Sequence, residues 1–168
     1  MLEAVVRRLR AKDEVLSAFN KYLYALDTGH GEAILDSYAA DAILDVLNFP
    51  PDGVDMHFEG RDEMAPLYRP YGERPATITG GHNATNIAIE VAGSATEAAL
   101  TAYFTTTRPS GVQGGRYEGT LRREHDGRWR FVTLAIISAW GWTAQVDRVS
   151  ESVPASRSAF DAKPATGY

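Results

Sequence analysis

The amino-acid sequence predicts an α+β fold, with helices in the first third of the chain followed by a mostly antiparallel sheet. Apolar residues first recur at the three- and four-residue spacing of a helix that buries one face. From Asn83 onward they alternate with polar residues, as in half-buried strands. The dipeptide Asp126-Gly127 then marks a β-hairpin. This separation of helical and strand patterns along the chain is typical of the α+β class.

The predicted helices occupy three segments. The first is ended by Gly29 and Gly31, because glycines commonly follow the last helical turn. Residues 32–40 form a short second helix, and residues 60–72 form a helical turn or short helix that Pro66 interrupts. The apolar face of the first helix comprises Val15, Phe19, Tyr22, Leu23 and Leu26.

The predicted strands follow. Residues 42–49 and 55–60 are separated by a Pro-Pro-Asp-Gly break, and residues 85–93, 96–109 and the hairpin of residues 114–138 come after them. A strongly bent sheet wrapped on helices would enclose a concave apolar pocket, the usual site for a small ligand. In the fourth of these segments, alternation puts one set of apolar side chains on the same face: Ala98, Leu100, Ala102 and Phe104.

Length and composition predict one globular domain with a tail. A chain of 168 residues, 44% hydrophobic and 23% charged, has the balance of a single soluble domain. We assign residues 1–147 to this domain. Residues 148–168 are rich in Ser, Ala and Pro, and we expect them to form a C-terminal tail packed on the domain or on a partner subunit.

Charge and cysteine content argue against several classes of function. The net charge of −5 argues against a nucleic-acid partner, which usually requires a basic face. The absence of cysteine excludes disulfides, thiolate chemistry and zinc–cysteine sites. No apolar run reaches the length of a membrane span, and the N-terminal residues mix acids and bases unlike a signal peptide. We therefore expect a cytoplasmic protein with no membrane partner.

His82 is the first candidate for chemistry, since it stands where the glycine pair of GGHNATN leads into a strand. Histidine has an unperturbed pKa of about 6.5, which suits a general base near neutral pH. Asp27 is the candidate that would orient it, because a carboxylate at the C-terminal end of a helix is disfavoured by the helix dipole. Two simpler interpretations stay open. His82 could be a strand-edge histidine bonded to backbone or water, and Asp27 could be an exposed acid in a loop.

Aromatic residues are the next candidates, because a phenol can donate a proton to an oxygen leaving group. At about 100° per residue, Tyr24 lies about 60° from Asp27 around the helix and Tyr22 about 140° away, so helical geometry favours Tyr24. Core or interface packing would also explain either tyrosine. Trp140 and Trp142 fall on one face of the last strand, where they could line a pocket or an interface.

No motif points to a metal or a cofactor. The chain contains no HExxH, EF-hand loop, phosphate-binding glycine loop or GxSxG. His30, His57 and His125 stand in loops or a short strand, and none has a partner at metal-ligand spacing. We therefore predict a site with no metal and no cofactor.

Four stretches carry a family resemblance by their order and spacing: Y..ALD.G..EA......DA..D, GR.EM, H..TN..IE and Y.G.L.R..DGRW.F. Over roughly residues 10–142, the chain resembles the SnoaL-like family of the nuclear transport factor 2-like superfamily. The resemblance implies a cone-shaped, cystatin-like barrel, in which a curved sheet packs on three N-terminal helices. It also implies a homo-oligomer, either a dimer or a trimer.

Within this family the sequence is similar to the scytalone dehydratases, bile acid 7-alpha-dehydratases and hexachlorocyclohexane dehydrochlorinases. These lyases use an Asp at the end of the first helix and a His entering a central strand as a dyad, which implies that role for Asp27 and His82. The H-x-x-T-N run of the dehydrochlorinases is matched by His82, Thr85 and Asn86. The bile acid enzymes have a Tyr five residues before the Asp, which implies Tyr22 as the third catalytic residue. We also predict a set of substrate-binding residues: Tyr24, Asn48, Tyr103, Tyr117 and Trp140.

The sequence thus predicts a cofactor-independent lyase that performs a dehydratase-type β-elimination on a small apolar or aromatic hydroxylated molecule. His82 would act as general base, Asp27 would orient it, and Tyr22 or Tyr24 would assist the leaving group. Two alternatives stay open: an isomerase or polyketide cyclase that uses the same dyad, and a non-catalytic module that binds a small ligand.

Overall fold

The computed structural model describes residues 2–50, 52–70, 81–108 and 111–143, which form three helices and six strands. No helix within these ranges is long and apolar enough to cross a membrane. The predicted tail and the predicted domain boundary at residue 147 lie outside the described residues. The helices are α1 (Leu2–Thr28), α2 (Gly31–Asp36) and α3 (Arg61–Tyr68). The strands are β1 (Tyr38–Phe49), β2 (Val54–Glu59), β3 (His82–Val91), β4 (Glu97–Arg108), β5 (Gly111–Arg123) and β6 (Trp129–Thr143).

Helix α1 is the long element that packs on the sheet, and its buried residues follow the predicted apolar face. It ends at Thr28 because Gly29 takes a positive φ of 72°, a conformation that glycine adopts without strain. The amide of His30 then donates to the carbonyl of Ala25 at 2.9 Å and closes the last turn. Asp27 therefore stands in that last turn, next to the point where the chain leaves the helix.

The second helix is shorter than predicted. The sequence predicts a helix over residues 32–40, whereas Tyr38 already begins β1. Tyr38 pairs with Phe131 of β6 and is fully buried, so tertiary packing overrides the helical pattern of this segment. Gly31 begins α2, and only glycine fits there, because a Cβ would lie 2.5 Å from the carbonyl oxygen of Tyr68.

The six strands form one sheet in the order β2-β1-β6-β5-β4-β3. The pair β1–β6 is parallel, and the other four pairs are antiparallel. This mixed, mostly antiparallel sheet, packed on N-terminal helices, confirms the predicted α+β class. The predicted hairpin turn is also confirmed, because Gly127 has a φ of 79° and its amide donates to the carbonyl of Glu124.

The inner face of the sheet, defined as the face that packs on α1, contains most of the core. The rings of Phe19 and Tyr22 reach it from α1 and meet Phe131 edge-on, at centroid distances of 6.4 and 5.5 Å. On the opposite face of β4, Thr101 and Tyr103 are exposed. The predicted apolar set of β4 is buried on the inner face: Ala98, Leu100, Ala102 and Phe104.

A β-bulge in β3 decides which way His82 faces. The register with β4 shifts between Thr85 and Ala88, where Asn86 has a positive φ of 52°. Asparagine tolerates this left-handed backbone better than most residues do. Strict alternation would put His82 and Ile89 on opposite faces, since an odd number of positions separates them. With the bulge, each pairs with an inner-face residue of β4.

Candidate active site

The two candidate dyad residues, Asp27 and His82, are in direct contact although 55 positions separate them in the chain. Nδ1 of His82 lies 2.6 Å from Oδ1 of Asp27. The backbone amide of His82 donates to the same carboxylate, at 2.9 Å to Oδ1 and 3.1 Å to Oδ2. One carboxylate therefore joins the end of α1 to the start of β3, and it receives both the backbone and the ring of a single residue.

This contact fixes the protonation pattern of the imidazole ring. An ionised carboxylate only accepts hydrogen bonds, so Nδ1 of His82 carries the hydrogen that points at Asp27. In the neutral ring the basic lone pair then belongs to Nε2. Both side chains are partly enclosed, with 12% of His82 and 29% of Asp27 exposed. Partial enclosure weakens the competition of water for the contact, and the ring can act as a base through Nε2.

The backbone at Gly81 supports the dyad from the neighbouring strand. The Gly81 amide donates to the Thr107 hydroxyl at 3.2 Å, and the Thr107 amide donates to the Gly81 carbonyl at 3.3 Å. A Cβ at Gly81 would lie 3.1 Å from Oδ2 of Asp27, closer than ordinary van der Waals contact. Because Gly81 has no side chain, the Asp27 carboxylate can occupy this position without a steric clash.

Tyr22, the third catalytic candidate, lies in a buried cluster of three tyrosines from α1, β1 and α3. Its hydroxyl accepts a hydrogen bond from Tyr38 at 3.3 Å, and the hydroxyls of Tyr38 and Tyr68 are 2.9 Å apart. The rings of Tyr22 and Tyr38 meet edge to face, and those of Tyr38 and Tyr68 are stacked. Burial, reinforced by the two neighbouring phenols, raises the pKa of Tyr38 well above its usual value.

Three of the predicted substrate-binding residues lie on the surface. Tyr24 is exposed on α1 and lines a surface groove of about 790 Å³. Tyr103 and Trp140 are exposed on the outer face of the sheet. The indole of Trp140 covers Gly114, where a Cβ would collide with it, and contacts the ring of Trp142.

The other two predicted substrate-binding residues, Asn48 and Tyr117, make contacts within the fold. Asn48 is exposed, has a positive φ of 55°, and donates from its side-chain amide to the carbonyl of Ser138 at 2.8 Å. It thereby links β1 to β6. Tyr117 is buried on the inner face, where its ring packs 4.8 Å from that of Phe104.

Sequence reasoning missed two tyrosines and a second histidine–aspartate pair. Tyr38 fell in the segment predicted as helix, and Tyr68 fell in the proline-interrupted turn, so neither was predicted to contact Tyr22. Nδ1 of His57 lies 2.6 Å from Oδ1 of Asp45 on the neighbouring strand. Period-two alternation in β1 and β2 could have put these two residues on one face, but the register between the strands was needed to pair them.

A metal site was not predicted, and the described residues include no group of three or more His, Cys, Asp or Glu side chains that could hold a metal ion. The chemistry that the contact between Asp27 and His82 offers is proton transfer. The carboxylate stabilises a positive charge on the imidazole, and the imidazole can take a proton from a bound molecule.

Comparison with known structures gives relatives of the same fold. A proposed scytalone dehydratase from Novosphingobium aromaticivorans DSM 12444 is 23% identical, with a TM-score of 0.64 over 87% of this chain and 93% of its own. Hexachlorocyclohexane dehydrochlorinase LinA-type3 from Novosphingobium barchaimii LL02 is 16% identical, with a TM-score of 0.66 over 84% and 94%. A proposed ketosteroid isomerase from Parabacteroides distasonis ATCC 8503 is 16% identical, with a TM-score of 0.57 over 74% and 85%.

These identities are low, so the structural likeness establishes the fold alone. Other similar structures are described as cystatin-like, one of them as nuclear transport factor 2-like. No curated protein sequence matches the chain. Residues 7–135, most of the chain, match the family model described as SnoaL-like domain. The chain therefore belongs to the SnoaL-like family, with the nuclear transport factor 2-like fold.

Proposed function

We propose that this protein is a cofactor-independent lyase that performs a dehydratase-type β-elimination. The observation that carries the proposal is the 2.6 Å contact between Nδ1 of His82 and Oδ1 of Asp27, which leaves the basic lone pair on Nε2. Nε2 removes a proton from a carbon next to an activating group of the substrate. The electron pair of the broken C–H bond forms a double bond as the leaving group departs from the neighbouring carbon.

Asp27 acts on the reaction through His82. It holds the ring in one tautomer and stabilises the imidazolium that forms when the proton is taken up. A hydrogen bond to a charged group contributes roughly 1.5–3 kcal/mol, and partial exposure of Asp27 favours the lower end of that range. The backbone amide of His82 holds the Asp27 carboxylate in place. The carboxylate therefore loses less conformational freedom when the substrate binds.

Tyr22 is the proton donor of the proposed reaction. Its hydroxyl would protonate an oxygen leaving group, which favours a hydroxylated substrate over a halogenated one. Because Tyr22 is fully buried, the leaving oxygen has to enter the core beside α1 or receive the proton through an intervening group. The residues packed on the inner face are mostly apolar, which favours a small apolar or aromatic substrate.

The names of similar proteins support an elimination. Among the structural relatives are a dehydrochlorinase and a proposed dehydratase, both of which would form a double bond. The proposed ketosteroid isomerase supports a second candidate, in which the same base removes the proton and the substrate is reprotonated elsewhere. Product mass separates the two, since elimination loses a fragment and isomerisation conserves mass.

The test is a substrate screen with paired variants. Small aromatic or cyclic molecules with a hydroxyl group β to an acidic C–H are incubated with wild type, His82→Ala and His57→Ala, and products are read by mass spectrometry. We expect loss of water with wild type and His57→Ala, but not with His82→Ala, and no effect of a chelator. If all three proteins bind a molecule and wild type converts none of it, the result would instead support a ligand-binding module.

We also propose that the protein is a homo-oligomer, a dimer or a trimer. Large apolar side chains are exposed at several places, among them the first turns of α1 and the end of β6. Such exposed apolar surface is typical of a protein interface. Light scattering tests the proposal, and a monomeric mass at micromolar concentration would contradict it. The exposed apolar residues in the first turns of α1 and at the end of β6 are Leu2, Val5, Val6, Leu9, Trp140 and Trp142.

A further inference from the structure

The hydrogen bonds between the hydroxyls of the three buried tyrosines all point the same way along the cluster. The geometry of the 3.3 Å contact makes Tyr38 the donor and Tyr22 the acceptor. Each phenol has a single hydroxyl hydrogen, and that of Tyr38 is used on Tyr22. In the 2.9 Å contact between Tyr38 and Tyr68, Tyr68 must therefore be the donor. The three hydroxyls form a chain that runs from Tyr68 through Tyr38 to Tyr22.

This direction makes Tyr22 the acceptor at one end of the three phenols. Its oxygen receives a hydrogen bond from Tyr38, while its own hydrogen is directed to a group other than these two phenols. A hydrogen bond to an oxygen that develops negative charge favours the charged form. Donation from Tyr68 polarises Tyr38 and strengthens the second bond, since hydrogen bonds in a low-dielectric interior reinforce one another. The chain therefore makes it easier for Tyr22 to give up its proton.

Packing alone does not account for the hydroxyls. The ring contacts of Tyr38 with Tyr22, Tyr68 and Phe131 involve faces and edges that phenylalanine also has. A buried hydroxyl has lost its bonds to water, so its hydrogen bonds in the protein largely offset that loss instead of adding much stability. Phenylalanine at position 38 or 68 would fill nearly the same space but would take one hydrogen bond from a neighbouring phenol.

We propose that Tyr38 and Tyr68 are positioning residues that promote proton donation by Tyr22. The inference rests on the proposed elimination. In that reaction His82 takes the proton from carbon, the C–H electron pair forms the double bond, and the carbon–oxygen bond breaks. Tyr22 gives its proton to the leaving oxygen, which departs as water or an alcohol. The resulting phenolate accepts from Tyr38 until the proton on the imidazolium of His82 returns to it through solvent, so charges and protons balance.

The first test reads the pH dependence of turnover in Tyr38→Phe and Tyr68→Phe. Activity requires a protonated Tyr22, so its loss at high pH reports the ionisation of that phenol. Tyr38→Phe removes the donor to the phenolate and should move the alkaline limb of kcat to higher pH by up to about one unit, with a kcat about tenfold lower. Tyr68→Phe should have a smaller effect in the same direction.

A destabilised variant separates this role from a structural one. Leu100→Val removes a buried methylene from the inner face of β4 and leaves the three phenol hydroxyls in the chain. It should lower Tm while the alkaline limb stays in place. The same pattern in Tyr38→Phe, a lower Tm with an unmoved alkaline limb, would overturn the proposal.

A second measurement needs no turnover and therefore does not depend on the proposed function. Protein labelled with ¹³C at tyrosine Cζ is titrated by NMR, and the Tyr22 signal is assigned by its absence in Tyr22→Phe. We expect its titration midpoint to rise in Tyr38→Phe, and less so in Tyr68→Phe. An unchanged midpoint overturns the tyrosine chain even if elimination is observed. A raised midpoint supports the chain, and failure of the substrate screen would then count only against the lyase.

Discussion

Two histidine–aspartate pairs in this molecule have the same contact distance but different surroundings. In His82–Asp27 and in His57–Asp45, Nδ1 lies 2.6 Å from Oδ1. The first pair joins a helix end to the inner face of the sheet, with 12% of the histidine and 29% of the aspartate exposed. The second lies on the β1–β2 pair, with 56% and 40% exposed. Contact distance alone does not distinguish an enclosed site from a surface ion pair.

The second ring nitrogen of His57 also lies near a carboxylate. Nε2 of His57 lies 3.4 Å from Oε1 of Glu59, so both of its nitrogens face carboxylates. Hydrogen bonds, first to Asp45 and then to Glu59, raise the pKa of His57. A ring held between two carboxylates is stabilised as imidazolium, which has no lone pair to accept a proton. Partial enclosure, rather than the histidine–aspartate contact itself, is what distinguishes His82 from His57 as a candidate base.

The largest difference between the two pairs is expected when each histidine is removed. His82→Ala should lower kcat/KM for the elimination about 10²–10⁴-fold, the range for loss of a general base. His57→Ala, the matched control, should leave kcat/KM unchanged. Initial rates of both purified variants, checked for native circular dichroism, provide the comparison. If the two variants lose kcat/KM equally, His82–Asp27 would have no special role in catalysis compared with His57–Asp45.

The next largest effect is expected when each carboxylate is neutralised. Asp27→Asn should reduce kcat about 10²-fold, because an amide can turn its N–H₂ toward Nδ1 and so move the ring hydrogen to Nε2. ¹⁵N NMR of the His82 ring should report that change of tautomer. Asp45→Asn should affect neither turnover nor the His82 signals. An Asp27→Asn variant with full activity would contradict the orienting role of the carboxylate.

A smaller effect should follow from crowding the carboxylate. Gly81→Ala introduces a Cβ 3.1 Å from Oδ2 of Asp27, so the carboxylate must shift by a few tenths of an ångström. We expect kcat to fall about tenfold with little change in Tm, because small displacements of a catalytic group are costly for the rate. Gly93→Ala is the control, since a Cβ there meets nothing within 4 Å. Equal kcat values for the two alanine variants would mean that the position of Asp27 is not critical.

The smallest effect concerns the surface pair and the pH dependence of stability. A pKa raised in the folded state means that the ion pairs of His57 stabilise the fold fully below the unfolded histidine pKa of about 6.5 and lose this contribution as pH rises through the folded value. His57→Gln should therefore narrow the difference in unfolding free energy between mildly acidic and mildly alkaline solution. Urea denaturation at the two pH values gives the unfolding free energy of wild type, of His57→Gln and of His125→Gln, the control in an exposed turn. If His125→Gln reduces the difference in unfolding free energy as much as His57→Gln does, the pH dependence cannot be assigned to His57.

Features that depend on local order along the chain were predicted well. The spacing of apolar residues in α1 and the glycine that follows it determine where the helix ends, and so where Asp27 stands. The Asp126-Gly127 turn determines the hairpin. Tyr22 and Tyr24 were harder, because the angle from Asp27 favoured Tyr24, whereas the apolar pattern of α1 favoured burial of Tyr22. The sheet buries Tyr22 and leaves Tyr24 in water.

The sequence by itself determined the α+β class, the helix end that carries Asp27 and the strand start that carries His82. Only the tertiary structure decided that these two side chains meet, since their contact spans 55 positions and depends on the bulge at Asn86 that turns His82 to the inner face. It also decided that Tyr38 is a strand residue within a tyrosine chain. Turns and helix ends are set by neighbouring residues, whereas such contacts follow from the burial of apolar surface across the whole chain.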